Sequence, residues 1–534
     1  MKNKKTILGV SIVLLFGVFA SLPLFGKGYI PTHDGEYHII RFIEFYRMLG
    51  AGYWFPRWAP TLNSGYGIPI FLFHYPFPNY IGALIQALGF HAVSSFRLSL
   101  ALGYITAGIF SFLWLKKLFG IKAGIVGTVV ASFVPYWFVD LYVRGSVGEV
   151  WAIGFMFATL MLLEYRMLIP YSFALSGLIL SHNIMAMLFI PFLFGYAFFR
   201  NRKYTIGILF GILLSSYFWI PAIFERVYVV GLNTVNFREH FVQLYELLIP
   251  SWGTELSGQI FGGNKMSFQI GIVPLAVIIG SIIVGWKEKN QATKRLYWYF
   301  IFALVCAVAL MLSWTSFMWE HLAFLSFVQY PWRFLSIIIP VTAFIGAYVS
   351  HHIRMRFWSI VFIGASIIFS YSYTRPVVYA PRDGQYYTSR KNFTDGTSSM
   401  GNSFSTIWTG WKKERSDYVL EVINGKVPGG ILEHSYLKKT FAVWSDIGSE
   451  VYTPILYYPG WKVMIDQKET SIDYVTDGTI RFVVPQGKHQ VTVVFTQTLV
   501  RKCADILSVV TLVWLLGWGI LGVYANRHRH STPS

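Results

Sequence analysis

Residues 28–60 read GYIPTHDGEYHIIRFIEFYRMLGAGYWFPRWAP and follow directly on an apolar run at 6–25. His33, Asp34, Glu36, His38 and Arg41 crowd into one short interval here, a dense set of ionisable residues immediately after a membrane-length segment. From Tyr37 the apolar residues Ile39, Ile40, Phe42, Ile43, Tyr46 and Leu49 recur at helical spacing, while His38, Arg41, Glu44 and Arg47 stand three apart on the opposite face. The pattern predicts a helix lying in the membrane interface, apolar side in lipid and polar side towards water. Asp34 and Glu36 then stand at its start, near the mouth of the first span. Asp34 also has a plain structural reading, as the N-cap that accepts backbone N–H groups. Five titratable groups exceed what a cap requires, and such clusters mark functional sites.

Outward from this loop, composition sets the class. The chain has 534 residues, 54% hydrophobic and 13% charged, with a mean hydropathy of +0.50. Long uncharged runs recur, as in a polytopic membrane protein of about twelve helical spans. The net charge of +19 lies mostly in short connections between those runs, which reports topology and argues against nucleic acid as a partner. Cys306 and Cys503 lie too far apart in the chain for a disulfide framework or a metal-ligand spacing.

Lys2, Lys4 and Lys5 put the N-terminus in the cytoplasm. A cleaved signal peptide ending near Val18 and Ala20 is the competing reading, opposed by the apolar run continuing to Phe25. The loop at 27–93 is then external, and its HYPFPNYIGALIQALG stretch is too short and proline-rich for a full span. Spans are expected near 94–115, 124–139, 150–165, 169–180, 183–199 and 204–220. An eighth ends at the charged WKEKNQATKR, a ninth rises from there to Leu312, a tenth descends from the external SFVQYPWRF to HHIRMR, an eleventh rises to Tyr371 and a twelfth covers about 505–524. With this count KK at 116–117, RNRK at 200–203 and KEKNQATKR at 287–295 are all cytoplasmic. Counting HYPFPNYIGALIQALG as a span reverses every later connection and breaks the positive-inside rule.

The chain divides into a transmembrane domain at 1–373, a β domain at 374–502 and a last span with a basic cytoplasmic tail at 503–534. Between 374 and 502 the sequence turns polar, and VLEVINGKV, KTFAVWSDIG, GWKVMIDQKETSIDYV and TIRFVVPQGKHQVTVVFTQ alternate like strands. Asn-Gly, Asp-Gly and Gln-Gly pairs mark their turns. A β-sandwich-like extracytoplasmic domain is expected there, inserted before the last span. Trp408, Trp411, Tyr457, Tyr458 and Trp461 can stack on sugar rings or build its core. Asn392-Phe393-Thr394 is a glycosylation sequon, meaningful only in a eukaryotic source.

Four polar patches fall at external span ends: HDGEYH, VRGSVGE, SHN and QYPWR. Ionisable groups at membrane depth are costly and face cavities. Arg144 and Arg333 carry guanidinium forks suited to phosphate oxygens, with Gln329 beside Arg333. Asp34 and Glu36 can take a proton from a hydroxyl, while His33, His38, Arg41, Glu149, His182 and Asn183 complete a polar substrate pocket. Structural alternatives stand beside these: Arg333 snorkelling, Arg144 paired with Glu149, and His182 capping a helix break.

A first external loop with an acid just after the first span, an interfacial helix and about a dozen spans resemble the GT-C superfamily of membrane glycosyltransferases. HDGEYH, YVRGSVGE, SHN, QYPWRF and YYPGWKVMIDQ are similar to YfhO-like bacterial membrane proteins and to the overlapping family labelled 6-pyruvoyl-tetrahydropterin synthase-related. The resemblance covers nearly the whole chain. It implies sugar transfer from a polyprenyl-phosphate-linked donor to a cell-envelope glycopolymer outside. Asp34 matches the loop acid, with Glu36 open as the alternative base, and Arg144 and Arg333 are candidates for the lipid phosphate. The pterin chemistry needs histidine-bound zinc, for which no third histidine has suitable spacing. A divalent metal at Asp34, Glu36 and His38 is allowed by residue type. Two other classes remain: a flippase of lipid-linked saccharides, which calls for midplane sites, broken helices and related halves, and a glycan-binding assembly protein.

Overall fold

The computed structural model describes residues 2–231, 235–258, 264–353, 356–376, 378–382, 384–388, 403–409, 420–424 and 429–529. Among them, eight helices are long and apolar enough to cross a membrane: Lys4–Phe25, Ala92–Phe119, Val147–Glu164, Asn183–Arg200, Gln291–Met311, Pro331–His352, Phe357–Thr374 and Leu499–Leu521. Two bent pairs, Ile121–Ser132 with Pro135–Arg144 (53°) and Arg202–Leu214 with Ser216–Phe224 (64°), raise the count to ten if each is one span. The sequence expectation of about twelve also counts Leu168–Ser181 and Ile272–Trp286, which are shorter apolar helices. HYPFPNYIGALIQALG forms only the helix Phe77–Ala87, about 16 Å long at 1.5 Å per residue.

The bends have local causes. Val134 is extended ahead of Pro135, as the residue before a proline prefers, so the helix from Ile121 stops there. At the second break Ser215 turns its hydroxyl back on the carbonyls of Gly211 and Ile212, a bond that competes with the helix. The helices Val147–Glu164 and Pro331–His352 are innermost, each 89% buried, whereas Leu499–Leu521 is 22% buried and peripheral. Small residues let the inner helices meet: a Cβ on Gly127 would sit 2.4 Å from the Ala343 carbonyl oxygen.

The loop helix spans Gly35–Gly50, and here the sequence expectation is corrected. Its polar face does not look to water. His38, Arg41 and Glu44 are buried together with Ile39, Ile40, Phe42 and Phe45. The Phe77–Ala87 helix and the start of Ala92–Phe119 pack over it, so its charges need internal partners. Glu44 takes them from Arg47 at 2.8 Å, the Thr61 amide at 2.9 Å and the Thr61 hydroxyl at 2.7 Å.

The β domain comprises β1 (Glu421–Asn424), β2 (Gly429–His434), β3 (Lys438–Ser445), β4 (Ser449–Leu456), β5 (Trp461–Ile465), β6 (Lys468–Thr470), β7 (Thr479–Val484) and β8 (Gly487–Phe495). They form a three-stranded sheet, β1-β4-β7, and a five-stranded sheet, β2-β3-β8-β5-β6, both antiparallel. Alternation works as expected on β3, where Phe441 and Val443 point inward and Ala442 and Trp444 outward. Two strands escaped the sequence reading. β4 carries Pro454, which reads as a strand breaker, and its register with β7 shifts between Thr453 and Leu456. β2 carries two glycines at its start. The Asp-Gly and Gln-Gly turns lead into β7 and β8, with Gly478 and Gly487 at positive φ. An unforeseen Asp466-Gln467 turn, both at positive φ, joins β5 to β6. Gly425 of the Asn-Gly turn, Trp411 and the Asn392 sequon lie outside the described residues.

Tyr458 and Trp461 are core, packed with Trp58 of the first loop. The last helix begins at Leu499. Glu225, from the second bent pair, is sealed beneath the domain. It accepts from Arg501 Nε at 3.0 Å, Tyr458 Oη at 3.1 Å and Thr498 Oγ1 at 2.6 Å.

Candidate active site

The site forms where the first loop meets the first bent helix. The chain from Val139 to Arg144 winds as a wide helical turn and ends at Gly145, φ +66°. Carbonyls released at such a helix end need outside donors. The first loop supplies them: the His33 amide donates to Val143 O at 3.0 Å and the Asp34 amide to Arg144 O at 2.8 Å. A side chain at position 145 has no room, since its Cβ would stand 2.3 Å from Thr32 Oγ1. These contacts set Asp34 beside Arg144.

Arg144 lies at the centre of a buried polar cluster. Its Nη1 and Nη2 reach Glu149 Oε2 and Oε1, both at 2.7 Å, in a bidentate pair, and Nη1 also meets Asp140 Oδ1 at 2.6 Å. Tyr136 Oη donates to Glu149 Oε2 at 2.9 Å. Arg333 Nε approaches Glu149 Oε1 at 3.4 Å, without a hydrogen bond among the described residues. Arg333 Nη1 donates to Val328 O at 2.8 Å and Gln329 Oε1 at 2.9 Å. His182 caps the next helix, its Nδ1 accepting from the Met185 amide at 3.3 Å. That leaves the proton of a neutral ring on Nε2, 3.9 Å from Glu149 Oε1. Two carboxylates thus face two guanidiniums, and Trp332 lies 4.7 Å over Arg144.

A row of rings ties this cluster to the loop helix. His38 lies 5.6 Å from His74, His74 4.1 Å from Tyr75, and Tyr75 4.8 Å from His182, ring centre to ring centre. His38 Nδ1 and His74 Nε2 are buried without hydrogen-bond partners among the described residues. Burial holds both imidazoles well below the usual histidine range, and the nearby Arg41 charge adds to the effect. His33 donates from Nε2 to Thr254 O at 2.8 Å, and burial lowers its proton affinity too. Asp34 heads the loop helix without a side-chain capping bond. Partly exposed, its carboxylate acts through its field on His33, Arg41 and Tyr75.

Other expected residues go elsewhere. Glu36 forms an ion pair with Arg382, drawn in by the backbone bridge between Tyr29 and Ala380. Asn183 is exposed and its Oδ1 accepts from the Ile184 amide at 3.1 Å. Among the described residues no three His, Cys, Asp or Glu side chains converge as metal ligands. Of the donor set Asp34, Glu36 and His38, Glu36 is turned to Arg382 and His38 is buried. Asp140, Tyr136, His74 and Tyr75 were missed from sequence. Asp140 had a signal, its i,i+4 spacing to Arg144, but His74 stands in an apolar run that hides it.

Chemically, the arrangement offers an uncapped carboxylate at the edge of a dense field of guanidinium, imidazole and phenol groups. Arg144 is committed to Glu149 and Asp140, whereas the Nε of Arg333 makes no hydrogen bond among the described residues.

No protein-family model matches the chain, and no curated protein does. Among solved structures, it is similar to ArnT from Cupriavidus metallidurans bound to undecaprenyl phosphate, with TM-score 0.40 and 14% identity over 68% of this chain and 62% of that one. It is also similar to the arabinofuranosyltransferase AftD from Mycobacteria (TM-score 0.44, 14% identity, 73% and 27% of the two chains). A third is the Archaeoglobus fulgidus oligosaccharyltransferase in complex with zinc and sulfate (TM-score 0.38, 14% identity, 77% and 58%). The chain spans less than two thirds of the length of each.

Proposed function

We propose that the chain is a membrane glycosyltransferase of the GT-C kind, near the YfhO-like group, that moves a sugar from a polyprenyl-phosphate-linked donor to a hydroxyl of a cell-envelope glycopolymer. The observation that carries the reading is the pinning of Asp34 to the Arg144 carbonyl, with its carboxylate uncapped beside a buried cluster of opposite charges. In the proposed reaction Asp34 takes the acceptor hydroxyl proton as the oxygen attacks the anomeric carbon. The bond from that carbon to the phosphate oxygen breaks, and polyprenyl phosphate leaves. Arg333 meets the leaving charge, and Arg144, held by Glu149 and Asp140, adds positive field behind it. The basic connections at 116–117, 200–203 and 287–295 face the cytoplasm in this reading, which puts the site and the β domain outside.

The test is transfer in proteoliposomes with radiolabelled polyprenyl-phosphate sugars and envelope polymer. Asp34→Asn should lower the rate by about a hundredfold or more, the share of a positioned base, at unchanged protein level. Full activity in that variant removes Asp34 from the mechanism. A flippase is the second reading, favoured by the two bent helices next to buried charge. In the same vesicles it shows as movement of intact lipid-linked sugar without transfer.

A further inference from the structure

A cavity of about 880 Å³ opens between the helices Asn183–Arg200 and Gln291–Met311, with one end beside Phe334, next to Arg333 in the chain. Its size falls in the range of about 300–1,000 Å³ typical of ligand sites. The walls are apolar, with Phe192, Phe199, Trp298 and Phe302 among them. Phe302 is 65% exposed, so the cleft faces the surrounding bilayer.

Its two ends differ. At one, Gln291, Lys294 and Arg295 line the opening. Neither the Lys294 nor the Arg295 side chain makes a hydrogen bond or ion pair among the described residues, in contrast to Arg200 at the end of the helix Asn183–Arg200, which is paired with Glu164. The first turn of the 21-residue helix Gln291–Met311 lies here, capped by Asn290, and its positive pole adds to the attraction for an anion. At the other end Phe334 and Ile337 line the groove.

The geometry points to a bound membrane phospholipid with an anionic head group, its phosphate on Lys294 and Arg295 and an acyl chain along the aromatic walls. Charge complementarity selects an acidic lipid over a zwitterionic one. Position separates it from the sugar donor. Arg295 lies fifteen residues from Leu310, roughly 22 Å along the helix, and Leu310 lines the far end together with Phe334, the neighbour of Arg333. A phosphate held at the basic end therefore cannot reach Asp34.

The experiment is native mass spectrometry of the full chain, released from vesicles of phosphatidylglycerol mixed with phosphatidylcholine, and separately from vesicles that also contain polyprenyl phosphate. The unmodified protein should retain phosphatidylglycerol in preference to phosphatidylcholine. Lys294→Gln with Arg295→Gln should lower that retention by about tenfold, and Lys116→Gln with Lys117→Gln, which lie outside the groove, should leave it unchanged. Ala303→Trp, which fills the groove, should also expel the lipid. Equal retention of the two phospholipids by the unmodified protein overturns the proposal without any variant. So does retention indifferent to both groove changes, or displacement of phosphatidylglycerol by polyprenyl phosphate.

Discussion

Glu149 illustrates how much one buried carboxylate can hold. It receives both prongs of Arg144, the Tyr136 hydroxyl and the field of Arg333, all inside the protein. Removing one partner of such a buried pair costs about 3–5 kcal/mol, because the other charge is left uncompensated. Glu149→Gln should therefore lower the thermal unfolding temperature in detergent clearly. Glu36→Gln breaks a half-exposed pair with Arg382 and should cost under about 1 kcal/mol. Sugar transfer separates the two candidate bases: a collapse of the rate in Glu36→Gln with a normal rate in Asp34→Asn reverses the assignment. The Arg144–Glu149 pair was one of two readings the sequence left open, and the structure contains it. Arg382 was invisible as the partner of Glu36, because 346 residues separate them and no local pattern spans such a distance.

At the level of elements, the first loop and the bent helix fit together only because Gly145 lacks a side chain. Gly145→Ala combines a left-handed φ with a Cβ 2.3 Å from Thr32 Oγ1, a cost of about 1–3 kcal/mol. It should slow transfer and lower stability together, measured on one preparation. The loop helix carries its own pH dependence. Folded His38 and His74 are kept neutral chiefly by burial, while unfolded they protonate near 6.5. The unfolded chain thus binds more protons as pH falls through 6.5, and stability is lost in that direction, by at most about 1.4 kcal/mol per pH unit for each ring. Hydrogen-exchange protection factors across residues 35–50, corrected for the intrinsic pH dependence of exchange, should fall between pH 7.5 and 5.5, and less so in His74→Phe. In the β domain Asp477 follows the usual carboxylate sign. Bonds from Arg481 and Thr479 outweigh its burial and hold it at about 2, so its contribution is present above pH 4 and lost below, a slope Asp477→Asn should flatten. Helices and most strands were legible because apolar length and alternation are local properties. The inward turn of the loop helix's polar face was not: periodicity divides two faces but cannot say that a second helix covers the charged one.

On the scale of the molecule, Glu225 and Arg501 clamp the β domain and last helix to the second bent pair. Arg501→Ala leaves Glu225 buried without its countercharge, again about 3–5 kcal/mol, and should expose the junction near residues 496–500 to protease. Adding Glu225→Gln to that change should recover part of the loss. A related tie joins the two ends of the chain. Arg57, 6% exposed, finds its partners in Gln497 and Asp505, which are 440 and 448 residues further on. During synthesis the opening loop is therefore made long before its counter-ion exists. It must wait, with a bare cation against apolar neighbours, until the ribosome has delivered nearly everything else. Biogenesis then has a built-in completeness check: a chain cut short before residue 497 emerges with that cation unanswered, and quality-control proteases should remove it faster than the finished product.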